Sequence, residues 1–154
     1  GLLRDGKGTF WEGGFRVPGI AAWPGRIAPG VTSFTPASTM DLLPTILPLA
    51  GAKLPDIPLD GRDLSGVLFR NEERKDFLLF YYSGRTLRAV RDDIWKLVLP
   101  PPTAGGGAKS ELYNLLEDPS EKYNRAAKHP DVVARLDAVV AEHQRTLVPG
   151  APQV

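Results

Sequence analysis

Glycine and proline interrupt this chain so often that few stretches can form a regular element, with 16 glycines and 15 prolines among 154 residues. Glycine costs backbone entropy when it is ordered, and proline removes an amide donor, so neither suits the interior of a helix or strand. Glycines recur from Gly6 to Gly30, and Pro18 and Pro24 interrupt the apolar residues between them. We therefore expect residues 1–37 to form one or two short strands joined by tight turns, with loops for the remainder.

The next segment predicts a short helix followed by a connector. Ser38 and Asp41 fit a capping box, or Asp41 itself is the N-cap, before an apolar run that Gly51 ends. Pro48 should kink this helix or limit it to two turns. A second short helix is predicted near residues 64–69, after a turn-rich stretch.

From residue 77 onward, the apolar pattern changes to one typical of strands. Strand-like segments lie at residues 77–82, 86–91, 94–99 and 111–115, separated by turn signals. This spacing predicts an antiparallel meander of four strands. Residues 100–110 form a proline- and glycine-rich loop, which we expect to be mobile and which is a hypothetical lip on the substrate side.

The last segment predicts one helix beginning at Pro130, a residue that suits the first turn. Its apolar residues recur at helical spacing: Val132, Val133, Leu136, Val139, Val140, His143 and Leu147. Such a stripe is expected to cover one face of the meander. The fold class is therefore α+β, a small four-stranded antiparallel sheet with a packed C-terminal helix.

Composition excludes several classes of function. The 19 basic and 18 acidic side chains leave a net charge of +1, without the basic stripe typical of nucleic-acid binders. No apolar run approaches the roughly 18 residues that a membrane span needs. The chain has no cysteine and two histidines, so it supports neither a disulfide scaffold nor a cysteine nucleophile nor a zinc site.

Lys7 is the most prominent candidate for chemistry. Gly1, Gly6 and Lys7 nearly match a phosphate-binding P-loop, but Gly8 stands where the metal-binding Ser or Thr belongs, and we expect no helix to begin within residues 10–14. A lysine between glycines remains, which suits close approach to an oxyanion. The alternative is a solvated lysine in a turn.

A series of motifs in this chain resembles the type I sulfatases, the arylsulfatase family. The most specific is Gly-Lys-Gly-Thr-Phe-Trp-Glu-Gly-Gly-Phe-Arg-Val-Pro at residues 6–18. Weaker matches follow in the family's order at residues 23–27, 40–45, 49–51, 60–64, 111–115 and 118–121. Within the family the likeness is greatest to the arylsulfatase A and N-acetylgalactosamine-6-sulfatase branches.

By this resemblance, Lys7 matches the lysine that binds the substrate's sulfate group, and it is the one catalytic and substrate-binding residue assigned here. The resemblance also implies an alkaline-phosphatase-like fold, a formylglycine made from a Cys/Ser-x-Pro-x-Arg motif, and calcium. This chain lacks that motif, and the family's calcium ligands lie upstream of the lysine motif. No metal ligand is therefore assigned within it.

The resemblance thus implies a piece of a longer protein, the C-terminal portion of a sulfuric ester hydrolase that is inactive alone. Residues 1–76 would be the tail end of the catalytic domain with a connector, and residues 77–154 a C-terminal subdomain. The implied partners are the N-terminal catalytic portion of the same polypeptide and a sulfate ester such as a sulfated sugar. The family is typically periplasmic, secreted or lysosomal.

Two alternatives remain open. The chain could be a non-catalytic carbohydrate-binding or assembly domain derived from a sulfatase, or part of a phosphodiesterase relative. If the chain is a piece of a longer protein, residues 1–37 are expected to pair with a sheet supplied by the missing part. In the chain alone they would then expose apolar surface or unpaired strand edges, and be poorly ordered, rearranged or shielded by self-association.

Several other residues are assigned structural roles. Glu12 and Arg16 are predicted to form a structural ion pair near Lys7. His129 is expected to be a cap or surface residue, and His143 a packed residue of the last helix. The remaining candidates are predicted to be turn and cap residues (Asp56, Asp60 and Asp63) and core aromatics (Trp11, Trp23 and Trp95).

Overall fold

The computed structural model describes residues 1–103 and 107–147. Its helices are α1 (Glu12–Phe15), α2 (Leu42–Leu49), α3 (Ser65–Arg70) and α4 (Pro130–Thr146), and its strands are β1 (Leu78–Ser83), β2 (Thr86–Asp92), β3 (Trp95–Val98) and β4 (Glu111–Asn114). The chain divides into two compact units. One holds residues 1–16 together with the chain from Leu78 onward, and the other holds Val17–Phe77.

The four strands form one antiparallel sheet in the order β1-β2-β3-β4, as the sequence predicts. Each strand pairs with the next in the chain, for example Val90 with Leu97 and Leu97 with Leu112. The register shifts at Tyr81/Tyr82, where β1 and β2 carry a bulge. A meander of this kind needs only short connections, because antiparallel neighbours can be joined by tight turns.

Each face of the sheet has its own apolar core. One face packs against α4, with a core of Leu87, Val90, Leu97, Leu112, Leu136 and Val140. The opposite face has a core of Tyr81, Ala89, Val98, Tyr113 and Leu115, against which Phe10 and Trp11 pack. The first residues of the chain therefore cover the sheet face that α4 leaves open.

Helix α4 begins at Pro130 and turns most of its predicted stripe toward the sheet. The inclusion of Leu147 in that stripe is wrong, because α4 ends at Thr146 and the Leu147 side chain is 49% exposed. Leu136 and Val140 are buried, and the His143 ring stacks on Phe80 with 3.6 Å between ring centroids. Tyr82 Oη lies 2.9 Å from His143 Nε2. The predicted packed role of His143 is confirmed.

In the Val17–Phe77 unit, Asp41 joins three parts of the chain. Ser38 and Asp41 form the predicted capping box at a single 3-10 turn that leads into α2. The buried Asp41 carboxylate also accepts a hydrogen bond from the Arg62 backbone (2.7 Å) and pairs with Arg74 Nη1 (2.8 Å). Pro48 lies inside α2, which is limited to two turns as expected.

Residues 1–37 differ from the prediction, since no strand forms there although all of them are described. The predicted strands are wrong because Pro18 and Pro24 remove amide donors and no neighbouring strand pairs with this stretch. The apolar side chains of Val17, Ile20 and Phe34 are 80%, 96% and 86% exposed, which confirms the expected apolar exposure.

Two smaller expectations are also wrong. A one-turn helix, α1, does begin at Glu12 within residues 10–14, because the glycines that follow Glu12 fit tightly against neighbouring backbone. Trp23 is 40% exposed beside Phe69 and Arg26 and is not a core residue.

The predicted division at residues 76/77 lies beside the change of unit at Phe77/Leu78. Residues 1–16, however, pack with the sheet. The assignment of residues 1–76 to the tail end of a catalytic domain stays a prediction. Within residues 100–110, Ala104, Gly105 and Gly106 lie outside the described residues, so the predicted lip is not described as a whole.

Candidate functional site

Lys7 lies at the tip of a closed loop formed by residues 4–13, here named the Lys7 loop. The loop is closed at its base by the Gly13 amide, which donates to the Arg4 carbonyl oxygen at 2.9 Å. At its tip, the Thr9 amide and hydroxyl both donate to the Gly6 carbonyl, at 3.2 and 2.9 Å. Gly8 has a φ of +92°, which glycine adopts without steric cost and which suits the third position of a type II turn. The Lys7 side chain is exposed.

The two glycines at the end of the loop are required by close backbone contacts. A Cβ atom on Gly13 would collide with the carbonyl oxygens of Arg4 and Asp5. One on Gly14 would collide with the carbonyl oxygen of Thr9 and lie 2.9 Å from that of Gly6. The glycine pair therefore lets the chain fold back onto the turn that carries Lys7.

Arg4 attaches the first end of the loop to the rest of its unit. Its guanidinium lies 3.5 Å from the centroid of the Trp11 ring, within the range of a cation–π contact. Its Nη1 donates to the backbone carbonyl of Glu121 at 2.9 Å. Trp11 is thus half-buried under a cation on the sheet face that α4 leaves open.

Glu12 attaches the other end of the loop to three strands. Its carboxylate is 1% exposed and accepts hydrogen bonds from Tyr81 (3.0 Å, β1), Arg91 (3.2 Å, β2) and Lys96 (3.1 Å, β3). The predicted structural role is confirmed, but the predicted partner is wrong. Arg16 lies exposed just after α1, while strands β2 and β3 bring Arg91 and Lys96 to Glu12.

Lys96 and Glu121 complete what we name the buried charge cluster, which consists of Glu12, Arg91, Lys96 and Glu121. Lys96 and Glu121 are both 0% exposed, and their charged atoms lie 2.8 Å apart. Lys96 also donates to the Phe10 carbonyl at 2.8 Å, and Glu121 accepts the Glu12 amide at 2.7 Å. The positive charges of Arg91 and Lys96 are balanced by the carboxylates of Glu12 and Glu121, which is expected because buried charges need partners of opposite sign.

Burial shifts the ionisation of two members of this region. It raises the pKa of Glu121, against the opposing effect of the Lys96 ammonium. Burial next to the Glu12 carboxylate likewise raises the pKa of Tyr81 above its ordinary value. Tyr81 therefore stays a neutral hydrogen-bond donor at physiological pH.

Sequence patterns predicted no role for Lys96, Arg91, Tyr81 or Glu121, although Glu121 lies in the matched motif at residues 118–121. One signal was available for Lys96, which stands between Trp95 and Leu97 in a strand that is otherwise apolar. A lysine there must either reach solvent or find a buried partner. Its partners come from residues far away in the chain, so spacing could not identify them.

The other candidates have structural roles. His129 is the residue before α4, and its ring packs on Trp95 with 4.8 Å between centroids. Asp63 caps the start of α3 by accepting the Ser65 amide at 2.9 Å. Among residues 1–103 and 107–147, no group of three or more His, Cys, Asp or Glu side chains could hold a metal ion. In the same part of the chain, no helix is long and apolar enough to cross a membrane.

Comparison with known proteins identifies relatives of this chain. Residues 5–146 match the family model described as N-sulphoglucosamine sulphohydrolase, C-terminal. The chain is 44% identical to arylsulfatase A of Bos taurus, over 80% of this chain and 29% of that protein. It is 35% identical to N-acetylgalactosamine-6-sulfatase of Mus musculus, over 97% of this chain and 34% of that protein. The chain thus spans about a third of the length of these relatives.

Solved structures agree with this match. One, from work on the metabolism of multiple glycosaminoglycans by Bacteroides thetaiotaomicron, has a TM-score of 0.77 at 26% identity and covers 94% of this chain and 32% of its own. The PsFucS1 sulfatase from Pseudoalteromonas sp. has a TM-score of 0.73 at 26% identity, with 96% and 34% coverage. This chain belongs to the sulfatase family, in which it matches the C-terminal domain.

Proposed function

We propose that these residues are the C-terminal portion of a sulfuric ester hydrolase, to which they supply a sulfate-binding lysine, Lys7. The observation that carries this proposal is the exposed Lys7 side chain at the tip of a loop whose two ends are held by buried groups. Family membership supports the reaction class, and the geometry of the loop supports the role of the residue.

A lysine at this position suits the chemistry of sulfate ester cleavage. The ammonium is a compact cation with three donors, and the turn leaves it free to meet the oxygens of a sulfate group. The distribution of negative charge over the sulfate oxygens changes in the transition state as the S–O bond breaks. A cation that is already in place stabilises this charge without reorganising during the reaction.

The nucleophile and the metal would come from the N-terminal catalytic portion of the same polypeptide. This chain has no cysteine and no Ser-x-Pro-x-Arg sequence from which a formylglycine could be made. Its described residues also offer no cluster that fits a Ca²⁺ ion. We propose that the formylglycine and the divalent cation both belong to the N-terminal catalytic portion, and we expect the 154-residue chain to be inactive alone.

The substrate is proposed to be a sulfate ester on a sugar. One relative is named N-acetylgalactosamine-6-sulfatase, and one structural neighbour comes from work on glycosaminoglycan metabolism. Another, Ps i-CgsB, is described in complex with k-i-k-neocarrahexaose. These names favour a carbohydrate substrate and specify no single sugar, whereas the relatives named steryl-sulfatase, 32% and 33% identical to this chain, do not carry a sugar in their name.

The test is the Lys7→Ala substitution in the full natural protein, assayed with an aryl sulfate. We expect kcat/KM to fall about 100-fold, because loss of one preorganised donor to a developing charge typically costs this much. Lys53→Ala, at another exposed lysine, is the matched control and should leave the rate unchanged.

Three results would contradict the proposal. They are an unchanged rate in Lys7→Ala, turnover of aryl phosphate in preference to aryl sulfate, and turnover by the 154-residue chain free of other sulfatases. Glycan binding by a full natural protein that cleaves no sulfate ester would favour the alternative of a carbohydrate-binding or assembly domain.

A further inference from the structure

Few contacts within its own turn hold Lys7 in position, because the hydrogen bonds among residues 6–9, all of them described, join only Thr9 to Gly6. The Lys7 loop touches the rest of its unit through Arg4 at one end and through Phe10, Trp11 and Glu12 at the other. Whatever holds these two ends therefore decides where the ammonium lies.

Lys96 contacts both the Lys7 loop and Glu121, the residue to which both ends of the loop are hydrogen-bonded. Its ammonium donates to the Phe10 carbonyl at 2.8 Å and to Glu12 at 3.1 Å, and it lies 2.8 Å from the Glu121 carboxylate. Phe10 directly follows Thr9, which closes the turn around Lys7. Glu121 in turn accepts the Glu12 amide at 2.7 Å and, through its carbonyl, the Arg4 guanidinium at 2.9 Å.

We propose that Lys96 and Glu121 form a positioning pair that holds the Lys7 loop in the geometry needed for sulfate binding, which rests on the proposed function of Lys7. Neither side chain reaches solvent, so neither contacts substrate. The side chains of the pair act on the second half of the loop, because Lys96 donates to Phe10 and Glu12 and the Glu121 carboxylate accepts the Glu12 amide. The first end is held separately, because Arg4 donates to the backbone carbonyl of Glu121.

The ionic character of the pair is what points to positioning. Replacing a buried ion pair by apolar groups of similar volume is often neutral or stabilising, so such a pair is weak evidence for a role in stability. Removing one partner alone leaves an unpaired buried charge and risks a general loss of folding. The informative variant is therefore the double substitution Lys96→Met with Glu121→Gln, which leaves Glu12 paired with Arg91.

The first measurement is hydrogen–deuterium exchange in the full natural protein, read on peptides covering residues 4–13. We expect exchange of the Thr9 and Gly13 amides to become at least about tenfold faster in the double variant, corresponding to roughly 1.4 kcal/mol of local opening. Peptides from β3 and β4 should be unchanged. The control is Leu136→Ala, which weakens the core on the opposite sheet face.

The contrary result is exchange in residues 4–13 that rises only in step with exchange of the sheet. If the double variant and Leu136→Ala give the same pattern, Lys96 and Glu121 contribute to general stability and the positioning role is wrong.

The second measurement is a cycle with Lys7→Ala in the aryl sulfate assay. We expect the double variant to lower kcat/KM about tenfold when Lys7 is present and to have little further effect when Lys7 is alanine. A purely structural effect would be of equal size in both backgrounds and would overturn the proposal. If Lys7→Ala leaves the rate unchanged, the proposed function fails, whereas the exchange measurement still decides whether the pair positions the loop.

Discussion

Glu121 combines an unusual backbone conformation with complete burial. Its φ of +52° is uncommon for a residue with a side chain. Its carboxylate has no exposed surface, lies 2.8 Å from the Lys96 ammonium and accepts the Glu12 amide. The turn around Glu121 is held by Asp118, whose carboxylate accepts hydrogen bonds from the backbone amides of Lys122 and Tyr123. The strained backbone therefore places a charge where the Lys7 loop needs an acceptor.

The raised pKa of Glu121 predicts a pH effect on stability. The folded protein binds the Glu121 proton more tightly than the unfolded chain does, so the contribution is fully present below the unfolded carboxyl pKa of about 4.3 and is lost as pH rises through the folded value. Lys96 and the hydrogen bond from the Glu12 amide oppose this rise in the pKa of Glu121, and the negative charge of the Glu12 carboxylate adds to it.

We therefore expect the double substitution Lys96→Met with Glu121→Gln, which leaves neither partner charged, to remove part of the decline in unfolding free energy above about pH 4.3. Urea unfolding over a pH series, compared with wild type, measures this directly. Identical pH profiles for the two proteins would show that Glu121 has an ordinary pKa. Glu117→Gln, at an exposed carboxylate, is the control.

At the scale of elements, the two faces of the sheet have different contacts. The face toward α4 is an apolar core with no part in the Lys7 loop, whereas the other face carries Tyr81, Arg91 and Lys96 toward Glu12. Alternation along each strand produces this separation, since successive side chains point to opposite faces.

The separation predicts that α4 can be weakened without changing the Lys7 loop. Leu136 is fully buried, and Leu136→Ala should lower the unfolding free energy by about 3 kcal/mol through lost burial and a residual cavity. Chemical denaturation measures the loss, with Ala134→Ser on the exposed side of α4 as the control. A loss of under about 1 kcal/mol would show that α4 is not firmly packed on the sheet.

At the scale of the whole molecule, a chain about a third as long as its relatives exposes large apolar side chains between Val17 and Phe34. Where such side chains form a contiguous patch, the patch marks a surface that meets another chain or another part of the same chain. In the proposed function that part is the N-terminal catalytic portion.

The 154-residue chain by itself is therefore expected to self-associate through this surface. Phe34→Ser should weaken the association about tenfold or more, because burying a phenylalanine contributes about 1.5–3 kcal/mol. Sedimentation over a concentration series measures the effect, with Thr32→Ser as the control. A wild-type chain that stays monomeric at every concentration would contradict this prediction.

The local sequence determined the elements with strong patterns of their own. The four strands, the two-turn helix limited by Pro48, the Ser38–Asp41 capping box and α4 all follow from period, proline position and cap chemistry. The motif around Lys7 was also visible in the sequence, together with its family. Each of these depends on residues close together in the chain.

Only the tertiary structure decided what holds Lys7 in place. Glu12 meets Arg91 and Lys96 rather than Arg16, and Glu121 reaches the loop from more than a hundred residues away. The same holds for the missing strands in residues 1–37, since a strand forms only where a neighbour supplies hydrogen bonds. A buried charge takes whichever partner the fold brings within reach, because leaving it unpaired costs more than any local preference provides.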